Sequence, residues 1–357
     1  MNSNYLKGRG SQSTISNQFE QFSYENVFDD FVHLGLEEHH TKPTTEFITT
    51  YPKSIVNKVK SSDLKFMYSM NPYQGCEHGC VYCYARNSHE YWGYNAGLDF
   101  EQKILVKKNA PKLLKAFLSK KSWEGLPIML SGNTDCYQPA EKQFQITRDL
   151  LSICLHHKQA VGIITKNALL LRDLDLLKEL ATLDLIRVNL SITSMDNDLK
   201  NLLEPRTSSI AKRFEAVKTL SDHGIPVNVM IAPIIPSINN QDIMKIAEKA
   251  AENGARNIHY TFVRLNGHLG KLFTDWIQKT MPDRADKVLN QIKDARNGKL
   301  SESAYFKRMQ GSGHFSKEID DLFQLARRKY FQNQLSPSLN TALYLQNKNR
   351  QLKLNFF

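Results

Sequence analysis

The sequence predicts an α/β fold, a partial (β/α)6 barrel of the TIM type with an N-terminal arm and a helical C-terminal extension. Six short apolar runs predict the strands, and five of them follow one another at intervals of roughly 25–40 residues. Amphipathic stretches of helical length separate the runs, which is typical of βαβ units and a parallel sheet. We therefore expect functional residues in the loops at the carboxyl ends of the strands.

The predicted strands lie at 66–69, 128–130, 161–164, 186–192, 227–231 and 258–263. The predicted helices lie at 110–118, 144–156, 169–180, 210–223 and 243–253. Beyond Leu265 the pattern is helical over 269–333, with breaks at Met281-Pro282 and Gly311-Ser312-Gly313. This divides the chain into a loosely ordered arm (1–50), which can drape over the core, the barrel (51–265), a helical extension (266–334) and a polar tail (335–357).

Composition places the chain among globular proteins. Of 357 residues, 41% are hydrophobic and 10% aromatic, which is enough to form a core and excludes wholesale disorder. No run of about 18 apolar residues is present, so no membrane span is expected. The first residues, Met1–Ser11, are polar and lack the apolar region of a secretory signal, so the expected compartment is the cytoplasm.

The charge of the chain is unevenly distributed. With 47 basic and 36 acidic residues the net charge is +11, and residues 281–357 hold 14 basic and 7 acidic groups, a net charge of +7. Residues 1–50 hold three basic and seven acidic groups, a net charge of −4. A basic C-terminal region suits a polyanionic partner such as DNA or RNA, with salt-sensitive binding. The alternative is a basic surface that only increases solubility.

Three of the five cysteines lie within eight residues, in the pattern Cys-x3-Cys-x2-Cys formed by Cys76, Cys80 and Cys83. Thiolates this close can ligate three irons of a [4Fe–4S] cluster and leave the fourth iron open to another ligand. The alternative is a zinc knot that includes His78 or a distant ligand, but structural zinc usually takes two separated ligand pairs. We expect an iron–sulfur centre in the loop after the first predicted strand.

This loop resembles the signature of the radical S-adenosylmethionine (SAM) superfamily, with an aromatic residue, Tyr82, before the last cysteine. Further segments resemble the spore photoproduct lyase-like branch, also called DNA repair photolyase-like; they are residues 71–86, 89–91, 98–101, 131–139, 204–206 and 232–236. The resemblance implies an enzyme with a [4Fe–4S] cluster and S-adenosylmethionine, which it cleaves to a 5′-deoxyadenosyl radical. It also implies an electron donor such as flavodoxin or ferredoxin.

The resemblance further implies which residues bind S-adenosylmethionine. They are Ser131, Gly132, Asn133 and Thr134 for the amino group, Lys166 and Arg206 for the carboxylate, Ser191 and Thr193 for the ribose or carboxylate, the backbone of Phe262 and Val263 for the adenine, and Tyr82 as a flanking aromatic. The alternatives are an ordinary turn at 131–134 and surface or capping charges at Lys166 and Arg206.

Two residues are candidates for the chemical step. Asp135, Tyr137 and Gln138 follow the second predicted strand and are expected to face the barrel mouth, where Tyr137 is the catalytic candidate. Cys136 is positioned to return a hydrogen atom to a product radical, a role that a cysteine has in photoproduct lyase, although at another position. The alternative is a passive small side chain, and Cys154, within a predicted helix, is expected in the core.

An aromatic string around the cysteine loop gives a further indication of nucleic acid. Its members are Tyr82, Tyr84, Tyr91, Trp92 and Tyr94. Such rings stack on bases next to a basic surface, whereas the alternative is packing of the loop on the barrel. The resemblance to the spore photoproduct lyase-like branch implies repair or modification of a nucleic-acid base, a lyase-like or base-modifying reaction, and this is what we expect. The alternatives are radical modification of a protein or small molecule, and a nucleic-acid-binding module with a structural metal.

The chain ends in a short apolar motif, Gln351–Phe357. It resembles the peptide with which bacterial repair proteins bind the replication sliding clamp, a glutamine followed by leucines and a terminal phenylalanine. A free, extended tail would place these side chains in a hydrophobic groove, with residues 340–350 as a tether. The alternative is that the motif packs on the protein itself.

Overall fold

The computed structural model describes residues 5–19, 44–64, 66–332, 334 and 337–354. Strands in these ranges are β1 Glu46–Thr50, β2 Val56–Lys58, β3 Tyr68–Met70, β4 Tyr73–Gln74, β5 Lys103–Lys107, β6 Ile128–Leu130, β7 Val161–Thr165, β8 Ile186–Ser191, β9 Val227–Ile234 and β10 Ile258–Phe262.

Helices pack around these strands. The α-helices are α1 Asp99–Gln102, α2 Ala110–Leu118, α3 Glu141–Phe144, α4 Ile146–His157, α5 Leu174–Thr182, α6 Asn197–Leu203, α7 Ile210–Asp222, α8 Ile243–Glu252, α9 Leu269–Thr280, α10 Pro282–Asp294, α11 Lys307–Gln310, α12 Gly313–Tyr330 and α13 Ala342–Leu354. Short 3-10 helices cover Tyr84–Trp92, Ala168–Asp173 and Asn240–Asp242. Among the described residues, no helix has the length and apolar composition to span a bilayer.

The main sheet has seven strands in the order β10-β9-β8-β7-β6-β3-β2. Strands β3 and β6 to β10 are parallel, and β2 runs antiparallel to β3 at one edge. All six predicted runs are strands of this sheet, and helices follow them as predicted. The α/β class with a parallel sheet is therefore confirmed. The two edge strands, β2 and β10, do not pair with each other in the described residues, so the sheet is open.

The two faces of the sheet differ because side chains alternate along a strand. Val161, Ile163 and Val188 point to the face that packs against the helices, and all three are fully buried in the main core. The opposite face carries Arg187 and Asn189, whose Nδ2 donates to Ile163 O at 3.2 Å. The interior face is therefore partly polar, and the apolar core lies between the sheet and the helices.

A second, three-stranded sheet has the order β1-β5-β4, and the sequence analysis does not predict it. Strand β1 lies within the segment predicted as a loosely ordered arm and runs parallel to β5. Strand β4 has two residues and leads directly into the cysteine loop. This sheet therefore holds one end of that loop.

The C-terminal residues correct one expectation. Residues 340–350 were expected to form a free tether, but α13 covers Ala342–Leu354. Tyr344 is fully buried and its hydroxyl donates to Leu118 O, while Lys348 Nζ donates to Trp123 O at 3.1 Å. A buried tyrosine and capped carbonyls hold this helix against the core. The clamp motif stays a prediction: its backbone is helical through Leu354, and residues 355–357 lie outside the described residues.

Candidate active site

The cysteine loop, residues 75–83, joins β4 to the 3-10 helix that begins at Tyr84. Gly75 and Gly79 have φ values of 79° and 67°, a left-handed conformation that favours glycine. Cys76 and Cys80 are buried and Cys83 is half-buried, and all three thiols are free. The loop therefore places three thiols in the protein interior without a disulfide.

Gln138 fastens the start of the cysteine loop. Its Nε2 donates to Gly75 O at 3.0 Å, and its Oε1 accepts from Glu77 N at 3.0 Å. The side chain is fully buried, so Gln138 faces the cysteine loop and not solvent. A buried amide that makes both bonds to backbone holds the loop in one conformation.

A buried ion pair supports the other side of the loop. Arg86 and Glu101 are both fully buried and bonded to each other, and Arg86 Nε donates to Cys80 O at 3.1 Å. Arg86 Nη1 also donates to Gly97 O at 2.9 Å. Because each charge is paired and hydrogen-bonded, the pair is tolerated in the interior, and removal of one partner would leave an unpaired charge.

The N-terminal arm binds this same ion pair. Glu101 accepts from Gly10 N at 3.2 Å and from Ser11 N at 2.7 Å, and Arg9 Nη1 donates to Glu101 O at 3.0 Å. A Cβ on Gly10 would lie 1.7 Å from Gly79 O, so the arm lies directly against the cysteine loop. Residues 9–12 are buried, so this part of the arm drapes over the core as expected but is not loose.

The thiols are poor acids without a metal. Burial, followed by nearby negative charges, raises the pKa of Cys76 well above its usual value, and burial likewise raises the pKa of Cys80 and Cys83. Buried thiolates need bound cations, which the irons of a cluster provide. Three buried thiols on a loop that protein contacts hold from several sides therefore fit an iron–sulfur cluster.

His78, the nearby fourth ligand that a zinc site would need, has both ring nitrogens next to other side chains. His78 Nδ1 lies 3.3 Å from Asp135 Oδ2, and His78 Nε2 lies 3.3 Å from Asn167 Nδ2. Both ring nitrogens therefore face other partners. Although burial alone would raise it, His78 and backbone N–H groups keep the pKa of Asp135 below its usual value. Asp135 thus acts as an anchor for the cysteine loop.

The turn at 131–134, after β6, lies beside the loop but uses most of its polar groups internally. Ser131 has a φ of 68° and its Oγ accepts from Cys136 N at 2.8 Å. Asn133 Nδ2 donates to Gln74 Oε1 at 3.1 Å, and Thr134 Oγ1 donates to Tyr73 O at 2.7 Å. The Gly132 carbonyl accepts from Tyr84 Oη at 2.7 Å. The predicted role of these residues in binding an amino group stays a prediction.

Lys166 lies beside the cysteine loop, at the end of β7. Its Nζ is 3.5 Å from Glu204 Oε1 and 5.7 Å from the centre of the Tyr82 ring. Burial and then Glu204 raise the pKa of the Cys80 thiol, and Lys166 opposes both. The structure thus brings the predicted Lys166 and Tyr82 together next to a cysteine.

Glu204 is the centre of a buried network that the sequence analysis did not predict as part of the site. It accepts from Arg213 Nη2 at 2.6 Å, from Thr193 Oγ1 at 2.7 Å and from the Tyr82 hydroxyl. Burial alone would raise the pKa of Glu204, but Arg213 and Lys166 hold it well below its usual value. The sequence could have indicated that Arg213 is buried and paired, because an arginine on the apolar face of a helix needs a partner in the interior.

The remaining predicted binding residues have partners of their own. Ser191 is buried at the end of β8, and its carbonyl accepts from Arg213 Nη1 at 2.9 Å. Arg206 Nη2 lies 3.2 Å from Glu77 Oε1, so Arg206 holds the cysteine loop. The carbonyls of Phe262 and Val263 accept from Arg296 Nη2 at 3.3 and 2.9 Å. Each carbonyl therefore has one lone pair fewer with which to bind an adenine.

The two catalytic candidates lie in the core. Cys136 and Tyr137 are both fully buried, and Tyr137 Oη donates to Asp173 Oδ2 at 3.1 Å. The chain turns at 131–138, so these side chains point toward the helices and not toward the mouth. This corrects the expectation that Tyr137 faces the mouth. The role of Cys136 in hydrogen return stays a prediction, and Cys154 is in the core as expected.

The aromatic string divides into two groups. Tyr82 is buried and Tyr94 stacks on His89 at 5.3 Å, as packing residues do. Tyr84, Tyr91 and Trp92 are exposed by 50%, 76% and 40%, so their rings reach the surface along the 3-10 helix that follows the loop, where Tyr91 also packs on Phe19 with ring centres 5.1 Å apart.

Comparison with known proteins identifies this arrangement. The family model of the radical SAM superfamily matches residues 70–250, which include the cysteine loop and four strands of the parallel sheet, β6 to β9. The chain belongs to the radical SAM superfamily. An uncharacterized protein of Methanocaldococcus jannaschii is 32% identical over 246 residues, 69% of this chain and 88% of the relative. One of Mycobacterium bovis is 30% identical over 256 residues, 70% of this chain and 75% of the relative.

The fold is similar to that of solved spore photoproduct lyase structures. One variant has a TM-score of 0.59 at 14% identity and covers 85% of this chain and 91% of its own. Another structure of that enzyme, complexed with dinucleoside spore photoproduct, has a TM-score of 0.55, also at 14% identity and with the same coverage. The fold class is thus confirmed, and the likeness to spore photoproduct lyase concerns the fold alone.

The protein is therefore a radical SAM enzyme, and its cofactors are a [4Fe–4S] cluster and S-adenosylmethionine. Cys76, Cys80 and Cys83 would hold the cluster. When bound, and with one electron from a reductant, the two cofactors would supply methionine and a 5′-deoxyadenosyl radical able to abstract a hydrogen atom. The chain's own part is to fix the loop through Gln138 and Arg86, and to exclude water by burying it.

Proposed function

We propose that this radical SAM enzyme acts on a base of a nucleic acid, in a repair or modification reaction. The observation that carries the proposal is the exposure of Tyr84, Tyr91 and Trp92 beside the cysteine loop. Large aromatic side chains are costly to leave in water, and base stacking is a use for them that tolerates any sequence.

Charge and fold support the same proposal. The net charge of +11 favours association with a polyanion. The fold is similar to that of a lyase solved with a dinucleoside photoproduct, and this similarity concerns the fold alone. In the proposed reaction the basic surface and the three rings hold the strand, and the buried loop keeps the reacting centre apart from water.

The test uses the reconstituted enzyme under anaerobic, reducing conditions. Formation of 5′-deoxyadenosine is measured with ultraviolet-irradiated oligonucleotides, with unirradiated oligonucleotides and with none, and the oligonucleotides are analysed by mass spectrometry. Cys80→Ala is the control without cofactor cleavage. We expect nucleic acid to increase the yield and to change in mass. An equal yield in all three mixtures with unchanged oligonucleotides would favour the alternative, a protein or small-molecule substrate.

A further inference from the structure

One arginine at the barrel mouth makes no ion pair with any carboxylate of the described residues. Arg264 follows β10, two residues after its last residue, Phe262. It is half-buried, and the contact recorded for its guanidinium joins Nη1 to Met309 Sδ at 4.0 Å. Its Nε is buried and, among the described residues, has no hydrogen-bond partner. A guanidinium offers five N–H donors, so this one is almost unused.

The neighbouring arginines increase the local positive charge. Arg308 binds both carboxylate oxygens of Asp63, and Arg296 donates to the carbonyls of Phe262 and Val263. Burial and then Arg308 lower the pKa of Arg264, against the opposing effect of Tyr84 and Asp63, and burial and then Arg264 lower the pKa of Arg296. Asp63 attracts Arg264 but is already hydrogen-bonded to Arg308, and Glu302 attracts Arg296, so Arg264 is left without a bonded carboxylate.

An unpaired, half-buried guanidinium lowers stability, since burial of a charge is unfavourable without a partner. An arginine kept there suits an anion that arrives with a ligand. The segments that carry Tyr84 and Arg264 meet, because Asn87 Nδ2 donates to Asn266 O at 2.8 Å, and the Tyr84 ring is half exposed. Tyr84 also directly follows Cys83, so the anion would sit beside the cluster loop.

We propose that Arg264 binds a backbone phosphate of the nucleic-acid substrate at the barrel mouth, with the adjoining base stacked on Tyr84. Arginine suits this role because its planar fork binds two phosphate oxygens at once. The inference rests on the proposed function and adds to it the anchor that sets which nucleotide lies at the cluster loop. A carboxylate is the other anion that a guanidinium binds, and S-adenosylmethionine carries one, so the test separates the two sources.

The experiment measures binding of a short single-stranded oligonucleotide to the full-length, cluster-loaded protein at several salt concentrations. We expect Arg264→Gln to weaken binding about tenfold, and the slope of log K against log salt to become shallower by about 0.7, the loss of one phosphate contact. Arg264→Lys should keep the slope while binding more weakly, because the charge stays and the fork is lost. Lys178→Gln, at an exposed lysine of α5 outside the basic C-terminal region, is the control and should change affinity less than about twofold.

Three further readouts decide between the explanations. S-adenosylmethionine binding should be unchanged in Arg264→Gln, and a selective loss of it would assign Arg264 to the cofactor and overturn the inference. The variant should melt at or above the wild-type temperature, because an unpaired charge is removed; a lower melting temperature with unchanged oligonucleotide binding would make Arg264 structural. If the wild-type protein binds no oligonucleotide at low salt, both the inference and the proposed function fail, whereas equal binding by wild type and Arg264→Gln refutes the inference alone.

Discussion

Replacement of Gly10 by alanine should detach the N-terminal arm from the cysteine loop. The added Cβ would lie 1.7 Å from Gly79 O, 2.9 Å from Gly79 C and 3.1 Å from Val81 N. All three are backbone atoms of a loop that is fastened at several points, so the loop is the more rigid partner. The arm must therefore move by roughly 1.5 Å to reach ordinary contact distances.

The size of the effect follows from the bonds that such a shift breaks. Gly10 N and Ser11 N donate to the Glu101 carboxylate at 3.2 and 2.7 Å. A hydrogen bond to a charged group contributes about 1.5–3 kcal/mol, and water that enters the gap replaces part of it. We expect Gly10→Ala to lower the free energy of unfolding by about 2–4 kcal/mol.

The assay combines urea unfolding with the rate at which a chelator removes iron from the reconstituted protein. Gly8→Ala is the matched control: Gly8 has a φ of 82°, but an added Cβ there meets no atom within 4 Å. It should cost only the left-handed backbone penalty of about 1–2 kcal/mol and leave iron retention unchanged. If Gly10→Ala unfolds at the wild-type urea concentration, or loses iron no faster than Gly8→Ala, the arm does not hold the loop.

Three further predictions concern the cluster loop and its surroundings. Cys80→Ala should remove the absorbance near 400 nm and cofactor cleavage, and full cleavage by this variant would contradict the ligand set. Cys136→Ala should leave the cluster spectrum and cofactor cleavage intact, because Cys136 is buried in the core; a lost spectrum would place it among the ligands. Burial lowers the pKa of His89 to about 4, so between pH ~6.5 and ~4 the unfolded chain binds a proton that the folded chain does not. The free energy of unfolding should therefore decrease by up to about 3 kcal/mol as the pH is lowered from ~6.5 to ~4. His89→Phe should flatten this dependence of stability on pH, measured by urea unfolding.

Much of the barrel could be predicted because its elements carry strong local patterns. The bounds predicted for β6 and α2 agree with the structure, since each is a short apolar run or an amphipathic stretch between turn residues. The small sheet could not be predicted in this way. Strand β4 has two residues, and β1 pairs with β5, more than 50 residues away, so neither leaves a periodic signal.

For the site too, residues with a local sequence pattern could be predicted and residues that act through distant contacts could not. The three cysteines were predictable because their ligand function fixes their spacing within one loop. Glu101 and Gln138 were not, because each acts through a buried polar contact to residues far away in sequence. The predicted orientation of Tyr137 was wrong for another reason. The chain turns after β6, and the direction of a side chain in a turn does not follow the alternation of the strand.

Two cationic side chains, Arg213 and Lys166, face Glu204, and their positions predict which of them can also bind the carboxylate of S-adenosylmethionine. Arg213 is fully buried and bonds Glu204 at 2.6 Å, while Lys166 is partly exposed and lies 3.5 Å from the same carboxylate. Arg213 alone can neutralise the charge of Glu204. Lys166 can therefore turn toward the carboxylate of S-adenosylmethionine with little loss of stability.

We therefore expect Lys166→Met to weaken S-adenosylmethionine binding about tenfold or more, with a small effect on the urea midpoint. Arg213→Met should instead destabilise the fold by about 3–5 kcal/mol, because Glu204 is left buried without its main partner. Equal destabilisation by the two variants would place Lys166 in the structural network with Arg213. Unchanged binding in Lys166→Met would remove it from the cofactor site, and the predicted carboxylate ligand would then have to be sought at Arg206.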